Sequence, residues 1–331
     1  MPRHGCSVYY DMLTGEGTHF IDTRHFLRAL GLGAIYSPNG GLLNIFKDPL
    51  GRPILNLDYL LKDVVQSLRP LDWEAFSKWN ELQPLKIIAS RVDDGTSISM
   101  STADGHFDNI EAMTDCMRAS MLLPGLAGPV VSLPQVHGGR PLVDSQLFEP
   151  MPFRTALAEG CTHVIVLRTR PDGVNVCGKK SVLERLIMRR FFKRKHSFPE
   201  MYKYMKQMGH KHVYAKDILT LNQAANNWLN LGPSNACNIL PISLGEGQPE
   251  IGRLERTRSE IYQGIKNGYA HAYAILSAVN SKEISEQQNK GTRLASGWKA
   301  VEEAFPNDVL DYEVDPIFLE SKEKVVLGSG G

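Results

Sequence analysis

The run Thr162 to Thr169, THVIVLRT, constrains the fold more than any other stretch of the chain. It is a continuous β-branched segment of the kind buried on both faces of a parallel sheet. Upstream of it lie Pro141-Leu142-Val143, a short apolar strand that stops on Asp144, and PFRTALAE, a helix with Pro152 at its first turn and Gly160 placed to close it. Strand, helix and strand in that order make a βαβ unit, which predicts an α/β sheet with helices on both faces.

Further elements flank this unit. Pro84 to Val92, PLKIIASRV, reads as a strand, Asp93-Asp94-Gly95 as a tight turn, and Ser97 to Ser101 as the hairpin partner. Asp108 is placed to cap a helix through Ile110, Met113, Met117 and Ser120, which Leu123-Pro124-Gly125 ends. Beyond Pro171 helical patterns dominate, over Val182 to Arg194, Pro199 to Met208, Val213 to Leu229 and Arg258 to Val279. A short apolar run, Cys237 to Ile242, predicts one last strand. The expected organisation is therefore an α/β part over 1–171, a mainly helical part over 172–280 and a polar tail over 281–331.

Asp144 invites two readings. Asp followed by Ser is an ordinary turn, and an acid at the end of a strand in an α/β sheet also lies on the edge where such sheets place their sites. The residues around it carry a resemblance that bears on the choice. MRASMLLPGLAGPV, then GGRPLVDSQLFEPMPFRTALAEGCTHVIVLRTRP, resembles the second half of the patatin-like phospholipase domain. That half runs as a helix ending in ASxxLP, a strand leading into D-G-[GA], a P-[VF]-R-x-A-L helix and a further strand. SVYYDMLTGEGTHFIDTRHFLR, PILNLDYLLKDVV and IGRLERTRSEIYQGIKNGYAHA are similar to flanking parts of the bacterial subgroup, so the likeness spans most of Ser7 to Ala274 in order.

The resemblance implies a three-layer patatin-like sheet with a helical C-terminal extension. It also implies a lipid acyl hydrolase that uses a Ser-Asp dyad and needs neither metal nor organic cofactor. In that family a serine on a G-x-S-x-G elbow attacks the ester carbonyl, and the aspartate takes its proton directly. A carboxylate is a weak base for an alcohol, so such a mechanism depends on a short hydrogen bond and a well-placed oxyanion hole. By position Asp144 is the family's general base. The expected substrate is a phospholipid, lysophospholipid or acylglycerol, met at a membrane surface.

The chain departs from the family at two points. Ser145 and Gln146 follow Asp144 where the family has glycine and a small residue, so Gln146 is placed to crowd the space beside the carboxylate. No G-x-S-x-G occurs in the sequence: Gly5-Cys6-Ser7-Val8-Tyr9 begins one and fails at Tyr9. Ser7 is the one weak candidate nucleophile, and its neighbours align about twenty residues past the family elbow. The G-G-G-x-R-G oxyanion loop is absent as well, which places the nucleophile and oxyanion hole before Met1 and predicts an incomplete member of the family. Such a chain is expected to leave sheet edges unpaired and an apolar face uncovered, to be poorly soluble, and to need a partner or oligomer. The alternative is a catalytically inactive relative that acts as a lipid-binding or partner-binding module.

Other features fill in the picture. RLIMRRFFKRKH, Arg185 to His196, interleaves basic and apolar residues. Arg189, Arg190, Lys193 and Arg194 suit contact with anionic lipid headgroups, at about 1 kcal/mol per basic residue near a charged surface. The equal alternative is a solvated helix face whose apolar side packs on the domain. His137-Gly138-Gly139 reads as a hairpin turn, Gly95 to Ser99 as strand structure, and Met201, Met205 and Met208 as core. His210 and His212 lack partners at ligand spacing, so no metal site is expected. Five scattered cysteines read as reduced thiols. A net charge of +1 gives no reason to expect a nucleic-acid partner. No apolar run approaches the roughly 20 residues that span a bilayer. The N-terminus MPRHGCSVYYDML lacks a signal-peptide core, so the expectation is an intracellular protein, peripheral on a membrane.

Overall fold

The computed structural model describes residues 8–14, 20–22, 53–124, 126–178, 185, 188–189, 192–193, 198–231, 238–252, 254–280 and 290–305. Helix and sheet are mixed, which is compatible with the α/β class. After a wide helical segment over Tyr59–Leu68, the first α-helix is α1 (Trp73–Leu82), whose first turn is capped by Asp72, accepting from the Ala75 N–H at 3.0 Å. Strands β1 (Ile87–Arg91) and β2 (Ser97–Met100) follow as an antiparallel hairpin, with Ile87 opposite Met100 and Ser90 opposite Ser97. Gly95 makes the turn at φ 75°, a conformation that side chains other than glycine rarely adopt.

Helix α2 (Ile110–Met121) is capped by Asn109, which accepts from the Ala112 N–H at 2.8 Å. The cap thus falls one residue later than the expected Asp108, whose carboxylate instead accepts from the Asn109 side chain. Met113, Cys116 and Ala119 on α2 pack against Ile87, Ala89, Ile98 and Met100 to form the main core.

Strands β3 (Val131–Ser132) and β4 (Pro141–Val143) complete a four-stranded sheet in the order β2-β1-β4-β3, antiparallel throughout. Between β3 and β4, His137, Gly138 and Gly139 all have positive φ, so HGG is the turn of a hairpin. Helix α3 (Phe153–Ala158) and strand β5 (His163–Leu167) come next.

The three parts of the expected βαβ unit therefore exist, but β4 and β5 do not share a sheet. The reason is that both edges of β4 are taken, one by Ser90 and Arg91 of β1 and the other by Val131 and Ser132 of β3. Strand β5 pairs in parallel with β6 (Asn238–Ile242), His163 opposite Asn238 and Leu167 opposite Ile242. Helices α4 (Pro199–Lys206) and α5 (Gly209–Leu231) lie between them in the chain. Leu221 of α5 packs on Val166 and Ile239 and covers one face of this pair. The other face is open: Ile165 is 58% and Leu167 73% exposed, so β5 is not buried on both sides as its composition predicts.

Helices α6 (Arg258–Asn280) and α7 (Lys290–Ala304) pack on each other. The second of these lies within the expected polar tail. Tyr262, Ala270, Val301 and Phe305 form their shared core with Tyr10, which sits in a wide helical turn at Val8–Met12. At Gly297 the two helices approach closely: a Cβ there would overlap the backbone of Ala270. Arg258 donates to the buried Asp11 carboxylate at 2.7 Å through Nη2, which ties the N-terminal turn to α6.

Candidate functional site

Asp144 follows the last residue of β4. Its backbone N–H donates to the Leu122 carbonyl at 2.9 Å, so the strand end is pinned to the end of α2. One carboxylate oxygen accepts from the Gln146 N–H at 2.7 Å, and Ser145–Leu147 makes a single tight helical turn behind it. Among the described residues that N–H is the only group bonded to the carboxylate. Asp144 is half-buried, and burial pushes its pKa up to about 6, against the lowering effect of the Gln146 N–H. A carboxyl group so placed is more basic than an ordinary aspartate and still mostly ionised at neutral pH.

The residues after Asp144 are held by three donors, two of them from distant parts of the chain and one from the next helix. Ser90 Oγ donates to the Ser145 carbonyl at 3.3 Å, Tyr204 Oη to the Leu147 carbonyl at 2.8 Å, and Arg154 to the Phe148 carbonyl. Burial raises the Tyr204 pKa to about 12, which keeps the hydroxyl protonated and able to donate. Arg154 also pairs with Asp217, a buried carboxylate of α5 whose pKa is raised by burial and lowered by Arg154. Oδ2 of Asp217 has no partner among the described residues. The arginine therefore links α3, α5 and the Asp144 turn.

Glu149 braces the other side. It is buried, accepts from the Thr155 N–H at 2.8 Å and from Thr155 Oγ1, and accepts from Ser97 Oγ of β2 at 2.7 Å. Pro152 has no side-chain cap to offer α3, and Glu149 supplies the missing acceptor from three residues earlier. Nothing in the local sequence marks Asp217, Tyr204 or Ser90 as members of this network, because each lies more than 50 residues from its partner. For Glu149 the one local signal is an acid three residues before Pro152, which opens a helix.

The remaining sequence candidates fall as follows. Ser145 and Gln146 take ordinary backbone conformations, since His137 and Met208 are the only described residues other than glycine with positive φ. This backbone needs no glycine after Asp144, and the Gln146 side chain is exposed rather than packed over the carboxylate. Ser7, Arg190 and Arg194 lie outside the described residues. Arg185, Arg189 and Lys193 are exposed, four residues apart.

Met188 and Phe192 between them are buried in one cluster with Val143 and Leu147, beside the Asp144 strand end. Lys193 Nζ also lies 5.7 Å from the centre of the Tyr202 ring. Met201 and Met205 are buried in the same cluster, as their spacing predicts. Among the described residues no group of three or more His, Cys, Asp or Glu could hold a metal ion, and no helix is long and apolar enough to cross a membrane.

The chain matches no known protein family and none of the curated proteins.

Proposed function

We propose that this chain carries the base half of a lipid acyl hydrolase of the patatin-like type. Asp144 accepts the proton of a serine hydroxyl as that serine attacks the carbonyl of a lipid ester. The observation that carries the reading is the half-buried Asp144 carboxyl at a strand end, with its pKa raised to about 6. The raised value supports the role because it gives the carboxylate more affinity for the serine proton without protonating most of it at neutral pH. The fixed turn behind Asp144 supports it too, since a dyad depends on the aim of the base. The serine partner belongs to a G-x-S-x-G elbow, a motif not found in these 331 residues. The substrate class is a phospholipid, lysophospholipid or acylglycerol.

A second reading is favoured by one contact. Gln146 donates to Asp144 with its own backbone, so the carboxylate already caps the turn that follows it. Under this reading the protein is a catalytically inactive module that binds a lipid or a protein partner.

A fluorophosphonate probe and a short-chain ester, each offered to the folded chain supplied with a segment that carries the G-x-S-x-G elbow, separate the two. Serine labelling and ester hydrolysis that vanish in Asp144→Ala support the hydrolase. With the chain folded and the elbow supplied, neither labelling nor hydrolysis supports the binding module. Labelling at Ser7 would overturn the assignment of the nucleophile to an elbow.

A further inference from the structure

Strand β5 leads into a buried arginine. The Arg168 side chain is only 3% exposed, and its backbone N–H continues the parallel ladder by donating to the Ile242 carbonyl at 2.8 Å. Its side chain bonds through Nη1, which donates to Asp172 Oδ1 at 2.9 Å and to Asn222 Oδ1 of α5 at 3.2 Å. Ser243, just past β6, donates to the same Asp172 oxygen at 3.0 Å, and the Asp172 N–H donates to the Leu244 carbonyl. The ends of both strands are thus tied beside the guanidinium. Its other edge is bare. Nε is buried without a partner, and among the described residues Nη2 has none either.

A buried donor left unpaired is costly, and a guanidinium keeps its charge at every working pH, so the bare edge calls for an acceptor. Nε and Nη2 present two parallel N–H groups in one plane, the fork that a planar carboxylate fills with its two oxygens. The place suits a ligand as well. Open α/β sheets bind at the carboxyl ends of their parallel strands, and β5 and β6 are such a pair. A second buried nitrogen stands at the same end: Nε2 of His271 on α6 has no partner, and its ring lies against Gly245, where an added Cβ would come within 3.6 Å of Cε1.

Charge narrows the ligand. Asp172 balances Arg168, Arg170 adds a cation 5.3 Å from the centre of the Tyr214 ring, and Glu246 is exposed beside Gly173. Surroundings so nearly neutral suit one negative charge better than a phosphate dianion.

We propose that the carboxyl end of the β5–β6 pair is a binding site for a small carboxylate, held bidentate on the Nε–Nη2 edge of Arg168. Asn222 and Asp172, the latter held by Ser243, fix the guanidinium through Nη1 and leave the fork free. The site shares no residue with the network around the Asp144 turn and stands whether or not the hydrolase reading does.

The test is a titration of the full chain with sodium acetate, followed through the arginine Nε–H signals in a proton–nitrogen correlation spectrum. Sodium chloride at matched ionic strength and inorganic phosphate are titrated in parallel. The expected result is one Nε–H signal, absent from the Arg168→Lys spectrum, that moves downfield, saturates at millimolar acetate and stays in place in chloride. The backbone amides of Ser243 and Gly245 are expected to shift with it, and Arg168→Lys, which keeps the charge and loses the fork, to weaken their response about ten-fold. Where that variant fails to fold, the parent signal is assigned through its own side chain and decides the matter alone. An Arg168 Nε–H that acetate leaves unmoved overturns the proposal and gives the edge to bound water. An equal response to chloride overturns it too, and tighter saturation by phosphate overturns the choice of a carboxylate.

Discussion

The Gln146 N–H donates to the Asp144 carboxylate at 2.7 Å, and this one bond gives the aspartate two duties at once. It caps a turn, and it holds a carboxyl group whose pKa is raised to about 6 by burial. The two duties differ in what they need, because the cap works with any acceptor and the base needs a charge.

Asp144→Asn separates them. The ordinary pKa is 3.8, so between that value and about 6 the folded protein holds the Asp144 proton more tightly than the unfolded chain does. The aspartate's contribution to stability therefore falls as pH rises through this window, and the cost is fully present above it. Asparagine keeps the acceptor for Gln146 and removes the buried charge. The variant is expected to be more stable than the parent by about 3 kcal/mol at about pH 8, with the gap closing below about pH 4. Denaturant titrations at the two pH values check this, and any Asp144-dependent hydrolysis is expected to vanish.

Arg154→Met leaves Asp217 buried and unpaired and takes a donor from the Phe148 carbonyl. The expected loss is about 3 kcal/mol, because an uncompensated buried carboxylate is costly. Adding Asp217→Leu removes the stranded charge and is expected to recover part of the loss. Urea unfolding of the two variants gives both numbers.

Much of the fold is legible in the sequence where the signals are local. The β1–β2 hairpin follows from the β-branched run before Asp93-Asp94-Gly95 and the short partner Ser97 to Ser101 after it, and α2 follows from its apolar spacing and the proline-glycine stop. The partner of β5 is not legible, since it depends on which strand edges remain free once β1 and β3 have taken both sides of β4. Asp108 and Asn109 are adjacent and equally good caps, so the structure had to choose between them. The helix α7 was hidden by the polar residues before it, although Leu294, Trp298 and Val301 carry helical spacing. For the site, Asp144 stands out by its position after a strand, whereas Ser90 and Tyr204, two of the three donors that hold its turn, lie more than 50 residues away.

The described cysteines are expected to react unequally. Burial pushes the Cys116 thiol up to about 12, while Cys161 and Cys177 are exposed. A brief pulse of iodoacetamide at neutral pH, read by peptide mass spectrometry, is expected to modify Cys161 and Cys177 and to spare Cys116.

Gly297→Ala places a methyl group against the Ala270 backbone. The helices α6 and α7 have to move apart to admit it, and overpacking of this kind costs about 1 to 3 kcal/mol. A lowered melting temperature, with the β1–β2 part of the chain still protected from hydrogen exchange, is the expected outcome.

The parallel pairing of β5 with β6 also sets a timetable for synthesis. His163 waits for Asn238, about 75 residues later in the chain, and at about 5 to 20 residues per second that is roughly 4 to 15 s on the ribosome. The hairpin of β1 and β2 can close long before this. Through the wait THVIVLRT has made neither its β6 pairing nor its contact with α5, which makes it the segment of the nascent chain with most need of a chaperone.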